Sequence, residues 1–119
     1  MSPARQISVE IDKLTRSIEN AWTGESFTTA VLPLTSDDMK AVGKTYWLFD
    51  WKAETKSKEK QVFKLVIKDN AHVIQGLISL QEREDHVFMH LIESHKLNKG
   101  EKKLYLGVAG NLIAFACKL

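Results

Sequence analysis

Val62-Phe63-Lys64-Leu65-Val66-Ile67-Lys68-Asp69-Asn70-Ala71-His72-Val73-Ile74-Gln75-Gly76-Leu77-Ile78-Ser79-Leu80 is the stretch whose reading decides the fold. In its first part Phe63, Leu65 and Ile67 alternate against Val62, Lys64, Val66 and Lys68, the two-residue period of a strand. Asp69-Asn70 is a short polar turn. Residues 72–80 are apolar on both faces, as a central strand is. A polar turn over 81–85 and another strand over 86–93 follow. Three strands on short connections predict an antiparallel meander.

Upstream, Trp47, Phe49 and Trp51 share one side of a second strand candidate over 46–51. Residues 52–61 are charged and poor in apolar side chains, which reads as a solvated loop or a frayed strand end. Residues 27–34, with Thr28, Thr29 and Val31, favour extended structure. Ser36 is placed to cap a short helix over 37–42, with Asp37 and Asp38 in its first turn. Ile7, Ile11, Leu14, Ile18 and Trp22 recur at helical spacing, and Gly24 suits the stop of that helix. Ile7, Val9 and Ile11 also alternate as a strand does, so both readings stand there.

Downstream, a lysine-bearing loop over 95–103 leads to Gly107-Val108-Ala109-Gly110 and a nearly wholly apolar helix over 111–119, with Gly110 or Asn111 as its cap. A helix apolar all round is normally covered on both sides. The sequence holds no later element to do so, and the expectation is a single incomplete domain over 1–119.

The 119 residues are 44% hydrophobic and 27% charged, with a net charge of +2. That suits one globular core and gives no electrostatic case for nucleic acid. The N-terminus lacks a signal-type apolar stretch, and no apolar run reaches membrane-spanning length. A cytoplasmic location without a membrane partner is expected. Cys117 stands alone, which excludes an intrachain disulfide and reads as a buried packing residue. His86 and His90 lie ~13 Å apart on a strand at ~3.3 Å per residue, too far for one ion, so no metal site is expected. His72 and His95 fall in loops or at strand ends. Trp22, Trp47 and Trp51 read as core or interface residues, and the lysines between Lys52 and Lys64 as a solvated surface.

The chemistry resides in the turn over 107–110. Helix starts carry unpaired N–H groups and partial positive charge, which bind phosphate, and small residues let a ligand approach the backbone. Lys96, Lys99, Lys102 and Lys103 flank that region. Taken locally, the same small residues also suit plain helix-on-sheet packing.

Leu104-Tyr105-Leu106-Gly107-Val108-Ala109, continued by Gly110-Asn111-Leu112-Ile113, resembles the pyrophosphate motif of GNAT-type N-acetyltransferases. Gly107 and Ala109 match its small positions, whereas Leu104 replaces its Gln or Arg. With Gln75-Gly76-Leu77-Ile78-Ser79-Leu80 and His90-Leu91-Ile92-Glu93-Ser94, the string is similar to a bacterial subgroup of that family, from about Trp47 onward. The resemblance implies an α+β fold with a mixed, mainly antiparallel sheet flanked by helices, its C-terminal strands missing. It implies acetyl-CoA as cofactor and a small-molecule or peptide amine as acceptor. The cofactor falls to the backbone of Leu91, Ile92 and Glu93 and to Leu106, Gly107, Val108, Ala109, Gly110 and Asn111. Glu93 takes the part of general base. A chain lacking the later strands is expected to be inactive alone. The alternative is a non-enzymatic module, a homodimer formed through an uncovered sheet edge and helix face.

Overall fold

A computed structural model describes residues 17–99 and 103–118. It is an α+β fold in which six strands form one antiparallel sheet curled into a half-barrel, accompanied by a few short helices. The strands are β1 (Ser17–Asn20), β2 (Ser26–Pro33), β3 (Gln61–Ile67), β4 (Asn70–Glu82), β5 (Val87–Ser94) and β6 (Tyr105–Leu106). Their order across the sheet is β5-β4-β3-β2-β1-β6. The expected mixed character is absent among the described residues, where every pairing is antiparallel. The helices are α1 (Trp51–Lys56) and α2 (Val108–Lys118), with 3-10 turns at Ser36–Val42 and Lys96–Asn98.

The predicted meander is present as β3, β4 and β5, and its alternation assigns the two faces of the sheet. On one face Leu65, Ile67, Ile78 and Leu80 join Ile18 and pack on Val108 and Leu112 of α2. On the other, Val62, Leu77 and Ile74 meet Val42, Trp47 and Trp51. Ile74 changes face because Leu65 pairs with Gly76 while Val66 pairs with Ile74, leaving Gln75 as an extra residue. An inserted residue shifts the pleat by one and bends the strand. Asn98 Nδ2 donates to both the carbonyl (3.2 Å) and Oε1 (2.9 Å) of Gln75, holding the bulge in place.

Four expectations are corrected. Residues 18–22 are not helical: β1 and β2 form a hairpin in which Asn20 Oδ1 accepts from the N–H groups of Trp22 (2.9 Å) and Thr23 (3.0 Å), and Gly24 has φ +74°. Local side-chain capture of the backbone outcompetes the helix there. The helical positions Ile7, Ile11 and Leu14 lie outside the described residues. The strand expected over 46–51 is instead a loop running into α1. The N–H groups of Leu48 and Phe49 bond to a carboxylate rather than to a ladder, and Asp50 Oδ1 caps α1 through Ala53 N at 3.1 Å. α2 starts at Val108, so Asn111 is interior to it rather than its cap, and Cys117 is exposed rather than buried. No described helix is long and apolar enough to cross a membrane.

Candidate functional site

The turn into α2 is built from β6 outward. Tyr105 and Leu106 pair with Asn20 and Glu19 of β1. Gly107 then reverses direction at φ +92°, a conformation that disfavours any side chain. Asn111, fully buried, fixes the turn from below. Its Nδ2 donates to the carbonyls of Ser17 (3.0 Å) and Gly107 (2.7 Å), and its Oδ1 accepts from Thr29 Oγ1 (2.9 Å). Asn111 N also donates to Gly107 O at 2.9 Å. The amide of Asn111 is thereby consumed within the fold. The first-turn amides of Val108, Ala109 and Gly110 have no intrahelical acceptor, and Ala109 and Gly110 are exposed. Leu104 is tied by its backbone, donating to Leu97 O and accepting from Ala21 N, both at 2.8 Å.

Gly76 sets where this helix start sits. A Cβ there would stand 2.7 Å from Val108 Cγ1, 2.9 Å from Leu112 Cδ1 and 3.3 Å from Glu93 O. The first turn of α2 therefore rests on the β4–β5 pair beside the end of β5. The carbonyl of Gln75 accepts from His95 N at 2.9 Å, and the alternation of an antiparallel ladder then turns the backbone N–H and C=O of Ile92 and Ser94 away from β4. Among the described residues no strand lies beyond β5. Ile92 thus presents open backbone at the sheet edge, on the same end of the molecule as the α2 turn. Its side chain packs in the α2-side core, whereas Leu91 packs on the opposite side. A further irregularity places His90 as an extra residue in β5, between Met89 and Leu91.

Glu93 faces away from α2. It is 4% exposed, and four donors close on its carboxylate: Leu48 N at 2.6 Å and Lys99 Nζ at 2.8 Å on Oε2, Trp51 Nε1 at 2.8 Å and Phe49 N at 3.2 Å on Oε1. Burial by itself raises its pKa, but Lys99, Leu48, Trp51 and Phe49 together outweigh that and hold it below the usual carboxylate value. So arranged, Glu93 anchors the loop over 46–51 to β5, and its lone pairs are occupied.

No family model, curated protein or solved structure matches the chain. The site is therefore read from its own geometry. The structure brings Ile92 and the Gly107–Gly110 turn to one end of the sheet and puts the Glu93 carboxylate on the opposite face. Of the flanking lysines, Lys96 and Lys99 line a pocket of about 420 Å³ with Lys44, Tyr46, Leu48 and Glu93. Lys102 lies outside the described residues. The sequence carries no sign of the part played by Lys44 and reads 46–48 as strand, since the position of this loop depends on its long-range capture by Glu93. No group of three or more metal-ligating side chains occurs among the described residues.

Proposed function

We propose that the chain binds acetyl-CoA at the turn into α2 and belongs functionally with GNAT-like N-acetyltransferases, passing the acetyl group to a primary amine. The observation that carries this reading is the common placement of two sets of backbone groups that have no partner among the described residues. The amides of Val108, Ala109 and Gly110 lie at the start of α2, and the N–H and C=O of Ile92 lie on the open edge of β5. Helix-start amides suit a pyrophosphate, and an open strand edge suits the amide-bearing pantetheine arm. Gly76 supports the reading by letting the two approach. The amine nitrogen attacks the thioester carbonyl and forms the C–N bond, the C–S bond breaks to release the CoA thiolate, and the proton lost by the amine ends on that sulfur, giving the amide and CoA thiol. The general-base role expected of Glu93 is not part of this scheme, because its carboxylate lies on the face of the sheet opposite the α2 turn and is held by four donors. Glu93 serves to hold the loop.

The test is calorimetric titration of the chain and of Gly110→Asp with acetyl-CoA. A Cβ at Gly110 meets nothing within 4 Å, and an aspartate in the first turn favours the helix. The fold is expected to persist while the added carboxylate repels the phosphates and weakens binding at least about tenfold, or 1.4 kcal/mol. Absence of heat from the parent chain at millimolar acetyl-CoA overturns the reading.

A second reading is favoured by one surface. Val87, Met89, Ile113, Ala116 and Cys117 line a largely apolar groove between β5 and α2, and Phe88 and Met89 of the edge strand are each 42% exposed. Edge strands with apolar surface associate. As a self-associating module the chain would dimerise without any cofactor, and Met89→Lys would return it to monomer in sedimentation.

A further inference from the structure

We infer that the pocket between the 44–48 loop and the end of β5 is a binding site for a small phosphate monoester with a planar or apolar body. At about 420 Å³ it falls within the size range of small-molecule sites. Its walls are preformed. Glu93 clamps Leu48 and Phe49, Lys96 N donates to Tyr46 O at 3.3 Å, and Tyr46 stacks on His95 with ring centroids 5.0 Å apart. Trp47 meets the same His95 ring edge-on at 5.4 Å, and its indole N–H is satisfied by Ala41 O at 2.9 Å. A loop fixed at this many points has little left to order on binding, which favours affinity.

The charges select the ligand. Among the described residues three lysines, Lys44, Lys96 and Lys99, line the pocket against one acid, Glu93. Lys99 is committed to Glu93 at 2.8 Å, so that pair cancels. Lys44 and Lys96 have no acidic partner among the described residues. Two lysines without a counter-ion match a phosphate monoester, which carries about −1.5 to −2 at neutral pH, better than a single carboxylate. Lysine is also a point-charge binder of phosphate, whereas planar carboxylate recognition draws on the arginine fork, and no arginine is among the described residues that line the pocket. Tyr46, 49% exposed, and Leu48, 74% exposed, supply the surface for the body of the ligand. The assignment does not rest on acetyl transfer, because this pocket and the α2 turn lie on opposite faces of the sheet.

The test follows backbone amide NMR shifts of Tyr46, Leu48 and Lys96 during titration with phenyl phosphate, inorganic phosphate and phenylacetate. Phenyl phosphate is expected to saturate these shifts and to bind tighter than either of the other two. Lys44→Glu/Lys96→Glu is expected to weaken it at least about tenfold, or 1.4 kcal/mol, and Lys44→Met/Lys96→Met serves if the charge-reversed form is poorly dispersed. Gly110→Asp is expected to leave it unchanged, so that loss of acetyl-CoA binding and loss of this site read separately. No shift at millimolar phenyl phosphate, equal affinity for phenylacetate, or indifference to both lysine pairs overturns the assignment.

Discussion

Gly76 and Val108 are in contact at a spacing that admits hydrogen and no carbon: a methyl at Gly76 would lie 2.7 Å from Val108 Cγ1. The second obstacle, Leu112 Cδ1 at 2.9 Å, belongs to the same helix, so α2 has to move as a unit. Val108 is β-branched and cannot swing aside cheaply. Gly76→Ala gains roughly 0.5–1 kcal/mol from the stiffer backbone in a strand but meets overpacking of roughly 1–3 kcal/mol. Net destabilisation of about 1 kcal/mol is expected in urea unfolding, together with weaker acetyl-CoA binding as the helix start lifts from β5. Unchanged or increased stability would show that the close approach is not needed.

The pH response of the fold should report on Glu93. Its folded pKa lies below the ordinary carboxylate value, so the stability it contributes is fully present above that ordinary value and is lost as pH falls through the folded pKa. Asp38, lowered as well through Lys64 and Thr35 against its burial, adds to the same acid limb. Glu93→Gln keeps the shape but sets an NH2 group against donors from Leu48, Trp51 or Lys99. A cost of about 2–4 kcal/mol at neutral pH is expected, since charged hydrogen bonds are worth about 1.5–3 kcal/mol each and Lys99 can relax to solvent. The acid limb of the stability curve should flatten in the variant. An unaltered limb in urea titrations between neutral and acid pH would assign the acid sensitivity elsewhere.

The meander was legible because its signal is local. Phe63, Leu65 and Ile67 alternate without interruption, and both neighbouring turns are polar. Trp51 shows why other parts were not. Read as the end of a strand, it starts α1, because Asp50 caps that helix and Glu93, more than forty positions later, takes the preceding amides. Only the tertiary fold brings that carboxylate to the loop. Ile18 failed for the opposite reason: its helical spacing to Trp22 is real, but Asn20 and Gly24 close a hairpin over the same residues. Within the candidate site, the small residues at Gly107, Ala109 and Gly110 could be read directly. That Asn111 is spent inside the fold could not, since its partners Ser17 and Thr29 are strands away.

Asn111 supplies the last prediction. It is fully buried and spans three elements, accepting from Thr29 in β2 and donating to Ser17 in β1 and to Gly107 before α2. Asn111→Leu conserves approximate volume while removing three hydrogen bonds, for an expected loss of about 2–4 kcal/mol. Because Asn111 joins β1 to the helix start, amide exchange at Ile18 and Glu19 should rise more than exchange at Leu65 or Ile78 in the meander. Thr29→Val alone should cost about 1 kcal/mol. Combined with Asn111→Leu it should cost less than the sum, since the shared bond is already gone. Additive effects, or uniform exchange changes across the sheet, would mean that the turn into α2 is held by packing on Gly76 and not by this side chain.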